Sequence, residues 1–138
     1  MSTETTASRQ CECGNTTIVT IDKNNPTGIM TVTGEYSLWG FKGYIELEYT
    51  IAGSKFIITT RKYNFTGSLG DKDPRFEILT HSGPILAIVP VRNAGWVNWP
   101  SSAETNYYSP GMAVVFDFRF HIDHGGNPLS DRKVIVFR

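Results

Sequence analysis

Strand-like alternation dominates this chain and is clearest between Gly111 and His124. Large apolar side chains occupy every second position, and mostly polar ones fill the positions between. A β-strand gathers such a set on one face, whereas a helix would scatter it around its axis. We therefore expect this stretch to be the central strand of a β protein. The apolar set is Val114, Phe116, Phe118, Phe120 and Ile122, and the alternate set is Val115, Asp117, Arg119, His121 and Asp123.

Shorter patterns of the same kind recur along the chain, separated by glycine, proline and asparagine. These breaks fall so often that no amphipathic helix is visible. We predict an all-β fold, an antiparallel and jelly-roll-like β-sandwich of about eight or nine short strands, with a closed β-barrel as the runner-up. Besides the central strand, strands are predicted at Thr17–Ile21, Ile29–Trp39, Tyr44–Ile51, Lys55–Phe65, Phe76–His81, Ile85–Val91 and Arg132–Arg138.

Turn-forming residues predict how some strands connect. Asn24–Gly28 and Ala52–Ser54 have the composition of hairpin turns. Gly34 predicts a bulge or a close approach of another group, and Pro90 predicts an edge strand or a strand end, because proline cannot donate to the ladder. Arg92–Pro110 is expected to be a long irregular segment.

Length and charge limit the classes of protein. With 138 residues, the chain fits a flexible tail over residues 1–14 and a single β domain over residues 15–138. Basic and acidic residues balance to a formal net charge of zero, so we expect no nucleic-acid partner. The sequence has neither an apolar leader nor a run long enough to span a membrane. We expect a cytoplasmic protein, with leaderless release left open.

Metal-binding residue types occur at two places, and neither predicts a site. Cys11 and Cys13 are the only cysteines and are too close in sequence for a disulfide between them to link distant parts of the fold. His121 and His124 would point to opposite faces of an extended strand. We expect no disulfide, no metal and no other cofactor.

The segment before the central strand carries the main candidate for binding. Trp96, Trp99, Tyr107 and Tyr108 stand among small and polar residues that offer little core of their own. Aromatic faces on a rigid β scaffold stack on sugars, and amide or carboxylate groups hydrogen-bond hydroxyls. The ligand-binding set predicted from the sequence is therefore Trp96, Asn98, Trp99, Glu104, Asn106, Tyr107 and Tyr108.

The same rings allow two other interpretations. They could lie at the level of lipid headgroups and attach the protein to a membrane, or they could fold back and plug the open end of the sandwich. The run from Ile85 through Trp99, a strand ending in Val-Pro-Val before a tryptophan-rich loop, resembles the membrane-contact region of actinoporin-like cytolysins and their fungal lectin relatives, which are β-sandwiches. The resemblance covers little of the chain, so we make no family assignment.

Asp117, Arg119 and His121 form the candidate catalytic set. If their face lined a closed barrel, they could bind or move protons as in a small cyclase or isomerase; if it faced solvent, they would form surface charge pairs. Nucleophile arrangements and phosphate-binding glycine loops are absent from the sequence. A non-enzymatic, lectin-like protein that binds a glycan or another small hydroxylated ligand is therefore the expected function. A membrane-binding or pore-forming module is the alternative, and a homo-oligomer is left open.

Overall fold

The computed structural model of the chain describes residues 14–22, 24–36, 40–67, 74–106, 111–121 and 129–138. Within these ranges the chain forms nine β-strands and no helix. The strands are β1 (Gly14–Ile21), β2 (Thr27–Tyr36), β3 (Phe41–Ala52), β4 (Lys55–Thr66), β5 (Arg75–Thr80), β6 (Gly83–Ile88), β7 (Trp96–Asn106), β8 (Ala113–His121) and β9 (Leu129–Phe137).

The strands form two sheets that pack face to face. The five-stranded sheet has the order β1-β9-β8-β5-β6, and the four-stranded sheet has the order β2-β3-β4-β7. Neighbouring strands are antiparallel except for β1 and β9, which are parallel. The predicted all-β sandwich is confirmed. The alternative prediction of a closed β-barrel was wrong, because the described strands do not close into a barrel.

The central-strand prediction is also confirmed. β8 is the third of the five strands in its sheet, and its four described apolar residues of the predicted set, Val114 to Phe120, are buried between the sheets. The Phe120 ring meets the ring of Phe76 at 4.9 Å between centroids, and Phe116 meets Phe56 of the opposite sheet at 5.5 Å. The phenylalanine face of β8 is thus the surface around which both sheets close.

Two glycines make room for this packing. Gly34 in β2 and Gly43 in β3 are register partners, and both lie against the ring of Phe120. A Cβ at Gly34 would overlap the ring, and one at Gly43 would lie 2.8 Å from its Cδ1 atom. The predicted close approach at Gly34 is therefore confirmed, since the ring fits only where both strands lack a side chain.

The connections follow the turn signals only in part. The Ala52–Ser54 hairpin joins β3 to β4 as predicted, and Pro90 follows the end of the edge strand β6. The hairpin expected at Asn24–Gly28 was wrong. The chain does turn there, but β2 begins in the opposite sheet, and β1 pairs with β9 instead. A turn signal indicates where the chain changes direction and does not identify the strand's partner.

The expectation of an irregular segment over Arg92–Pro110 was also wrong, because most of it forms the edge strand β7. The register between β4 and β7 shifts between Thr60 and Lys62, because Thr60 pairs with Ser101 and Lys62 with Asn98, so that Trp99 and Pro100 lie between the paired positions. The buried Thr60 hydroxyl bridges the irregularity: it donates to the carbonyl of Trp99 at 2.6 Å and accepts from the Ser101 amide at 3.1 Å. An edge strand with a bulge accommodates Pro100 in this segment.

Candidate ligand-binding site

The alternation of β7 separates the predicted binding residues into two groups. Asn98, Glu104 and Asn106 are exposed on the outer face with Trp96, whose residue surface is 47% accessible. Trp99 is three positions further on, so it points inward and is 6% accessible. The two indoles therefore do not share a surface.

Trp99 belongs to the core at the β7 edge. Its ring meets Tyr63 edge-on, with centroids 6.4 Å apart and planes at 78°. This position matches the interpretation in which an indole plugs the sandwich. Tyr107 and Tyr108 lie outside the described residues, as do Cys11, Cys13, Asp123 and His124.

Trp96 forms a cluster on the outer face of the four-stranded sheet. Its ring centroid is 6.2 Å from that of Tyr44, with the planes tilted by 41°, and the Lys62 ammonium lies 4.9 Å from the indole centroid. Asn64 of β4 is the register partner of Tyr44 on one side and of Trp96 on the other. We call Tyr44, Lys62, Asn64 and Trp96 the ring-pair site.

The carboxamide of Asn64 is the unusual group in this site. Its Oδ1 atom is buried and has no hydrogen-bond partner in the structure. An unpaired buried acceptor costs roughly 1–3 kcal/mol, and buried polar atoms of native proteins are normally paired. The site therefore holds an unpaired acceptor next to two aromatic rings, and a donor from outside the chain reaches it only when the side chains that cover it shift.

The charges next to the ring pair are already balanced within the sheet. Glu46 Oε1 lies 3.8 Å from Lys62 Nζ, and its other oxygen lies 3.0 Å from Nε of Arg61. Arg61 also donates to Glu48. Two cations thus face two carboxylates, and this arrangement is suited to a neutral ligand more than to a strongly charged one.

The other outward residues of β7 extend away from this cluster. Asn98 is two positions from Trp96 on the same face and is the register partner of Lys62. Glu104 is eight positions away, roughly 26 Å along a strand that rises about 3.3 Å per residue, and its carboxylate accepts a 2.6 Å hydrogen bond from Lys55. Asn106 is the register partner of Lys55 at that far end. The structure therefore brings Trp96 and Asn98 together but not Glu104 or Asn106.

The candidate catalytic set lies on the outer face of the five-stranded sheet. Asp117 accepts two hydrogen bonds from the Arg132 guanidinium, at 2.6 and 3.0 Å, and Nη2 of Arg119 lies 3.7 Å from Asp117. His121 Nε2 lies 2.8 Å from Oε1 of Glu77. The interior placement required by the cyclase or isomerase interpretation was wrong, because the apolar side of β8 is the one that faces the core.

The Asp117–Arg132 pair has a defined electrostatic consequence. The hydrogen bond and the attraction from Asp117 raise the pKa of Arg132 above its ordinary value. A raised pKa stabilises the fold below the unfolded-state pKa, and the effect is lost only as the pH rises through the folded-state value in strongly alkaline solution. The ionisation of Arg132 therefore adds no pH dependence to stability near neutral pH.

Three of the ring-pair residues were missed by reasoning from the sequence. Tyr44 and Lys62 look like ordinary outward positions of their strands, and Asn64 stands out only as the start of an Asn-Phe-Thr glycosylation sequon, a short pattern that arises by chance. Their role depends on the β3–β4–β7 register, which becomes visible only when β7 is recognised as a strand beside β4.

Among the described residues, no three His, Cys, Asp or Glu side chains come together in a way that could hold a metal ion. The described part of the chain also contains no helix with the length and apolar character needed to cross a membrane. Comparisons with protein-family models, with curated proteins and with solved structures found no match to this chain.

Proposed function

We propose that this protein is a carbohydrate-binding protein that holds a neutral sugar at the ring-pair site. The observation that carries the proposal is the juxtaposition of the Tyr44 and Trp96 rings with the unpaired Oδ1 of Asn64. Sugars present C–H faces that stack on aromatic rings and hydroxyls that donate hydrogen bonds, so one ligand class matches both features.

Each residue has a distinct part in this proposal. The exposed surface of Trp96 and the neighbouring Tyr44 ring contact the apolar face of the sugar. When the side chains that cover Asn64 shift on binding, a ligand hydroxyl donates to its Oδ1 atom and removes the cost of leaving that acceptor unpaired. Lys62 and Asn98, on the next row of the sheet, supply donors at the edge of the ligand.

Membrane attachment is the second candidate function, and one observation favours it. Two valines in the connection that leads into β7 are largely exposed, with 69% of Val89 and 55% of Val91 accessible. Apolar side chains beside an exposed tryptophan are typical of surfaces that meet a lipid interface. A plain phospholipid vesicle that binds the protein without any sugar would support this candidate over the first.

A glycan array followed by calorimetric titration tests the sugar proposal. We expect the wild-type protein to bind at least one neutral glycan, and Trp96→Leu and Tyr44→Leu each to weaken that binding by about tenfold or more, equivalent to about 1.4 kcal/mol. Ile29→Ala changes an exposed apolar residue of β2 in the same sheet and serves as the control that retains binding. An array without signal above background would contradict the proposal.

A further inference from the structure

The connection between β6 and β7 exposes apolar side chains to solvent. Val89 and Val91 are exposed, and Pro90 between them is buried. Surface connections normally present polar side chains, and adjoining apolar side chains left in water indicate an interaction surface. We call Val89, Val91 and Trp96, which follows this connection at the start of β7, the apolar tip.

Hydrogen bonds to β4 and to Gly67, which follows it, hold this connection in place. The amide of Val91 donates to the Tyr63 hydroxyl at 2.7 Å, and the amide of Asn93 donates to the Phe65 carbonyl at 2.7 Å. Asn93 adopts a left-handed backbone with φ of 58°, and its side chain meets the backbone of Gly67 at 3.4 Å. The valines are thus fixed outside the core by backbone hydrogen bonds that satisfy the turn without burying them.

The apolar tip and the ring-pair site adjoin each other. Tyr63 and Phe65, which anchor the connection, flank Asn64 in β4, and Asn64 is the register partner of Trp96. Trp96 belongs to both features. The connection that carries the exposed valines therefore ends at the ring-pair site.

The charge pattern of this segment fits a lipid interface. Between Glu77 and Glu104, the sequence contains Arg92 as its only Asp, Glu, Lys or Arg residue. No carboxylate from this segment opposes lipid phosphates, and tryptophan is enriched at the headgroup level of membranes. A few apolar side chains suffice for interfacial contact, whereas a stable protein partner requires about 800 Å² of matched surface on each side.

We propose that the ring-pair site binds the sugar headgroup of a membrane glycolipid, with the apolar tip resting in the bilayer interface beside it. This inference rests on the proposed carbohydrate function. It adds the source of the sugar: a lipid-linked headgroup satisfies the rings and Asn64 while the surrounding bilayer covers Val89 and Val91. Simultaneous contact raises the apparent affinity, because the second interaction occurs within the same complex.

The test compares one sugar in two presentations. The neutral glycan that binds best on the array is titrated as its methyl glycoside, and the same sugar is then presented as a glycolipid in phosphatidylcholine vesicles and measured by co-sedimentation. We expect the vesicle affinity to exceed that of the glycoside by about tenfold or more. Val89→Ser combined with Val91→Ser should remove this gain and leave glycoside binding unchanged.

A matched control uses apolar residues exposed elsewhere. Ile18, which is 62% accessible, and Val115 lie on the five-stranded sheet, away from β7. Ile18→Ser combined with Val115→Ser should retain the vesicle gain. Thermal unfolding of both double variants establishes that each is folded.

The possible results separate this inference from the function on which it rests. Glycoside binding with no gain on vesicles, or a gain that survives the valine changes, would overturn the glycolipid inference and leave the sugar site standing. Absence of binding to glycoside and glycolipid alike would overturn both. Equal binding to vesicles with and without the glycolipid would overturn the role of the sugar headgroup and favour simple membrane attachment.

Discussion

Asn64 combines a cost to the fold with the role in binding that we propose for it. Its Oδ1 atom is buried and unpaired between two aromatic residues on the outer face of the sheet. Native proteins seldom leave such atoms unpaired without a reason, and a binding site is one place where the cost persists.

Asn64→Leu separates stability from binding. The change removes the unpaired acceptor and keeps a side chain of similar size in a strand, so we expect the free energy of unfolding to stay unchanged or to rise by about 1 kcal/mol. Sugar binding should fall at the same time. Urea unfolding and calorimetric titration check the two halves, and a variant that loses stability while it retains sugar binding would contradict this role for Asn64.

The tryptophans show what residue identity alone could and could not predict. Trp96 was correctly expected at the surface, while Trp99 was placed with it because both are large rings in a polar segment. The three-residue spacing sends them to opposite faces once the segment is a strand. Small residues such as Ala103 weaken the apolar–polar alternation that would have identified this segment as a strand.

At the scale of elements, β7 links the core to the ring-pair site, and its two indoles should behave differently. Trp99→Ala removes a buried ring and should cost about 3–5 kcal/mol, whereas Trp96→Ala, on the outer face, should cost less than about 1 kcal/mol. Chemical unfolding of both variants provides the measurement. Similar losses for the two substitutions would show that the assignment of faces in β7 is wrong.

The glycine pair of β2 and β3 provides a second prediction at this scale. A methyl group at Gly43 would press on the Phe120 ring, so Gly43→Ala should destabilise the protein by about 1–3 kcal/mol. Phe120→Leu relieves part of the overlap, and the double variant should therefore be more stable than the sum of the two single effects implies. Simple additivity in the unfolding free energies would argue against contact between Gly43 and Phe120.

Strand identities could be predicted largely from alternation, because each buried face leaves its period in the sequence. Strand partners could not. The pattern of Thr17–Ile21 indicates a strand, but nothing local shows that it pairs with residues at the other end of the chain. The ring-pair site depends on such pairings, and this is why the binding residues predicted from the sequence include Trp96 but neither Tyr44 nor Asn64.

At the scale of the whole molecule, the two ends of the described chain stabilise each other. β1 runs parallel to β9 and covers its edge, and the amide of Arg138 donates to the carbonyl of Ile21 at 2.9 Å. Without β1, the backbone groups along one edge of β9 would be exposed, and so would the core side chains that Ile21 covers.

Truncation tests this dependence. A chain that begins at Asn24 lacks β1 and should lose cooperative thermal unfolding or self-associate through the freed edge of β9. A chain that begins at Gly14 keeps the whole strand and should unfold cooperatively as a control. Circular dichroism and light scattering provide the readouts, and a monomeric, cooperatively unfolding chain without β1 would show that the β1–β9 pairing is dispensable.

The ring-pair site is tested most directly by a nuclear magnetic resonance titration with the neutral glycan that binds best. The indole N–H signal of Trp96 and the side-chain amide signal of Asn64 should shift together and saturate, while the indole signal of the buried Trp99 stays in place. A titration in which the Trp96 and Asn64 signals do not move, although the glycan binds, would place the sugar elsewhere and contradict the site.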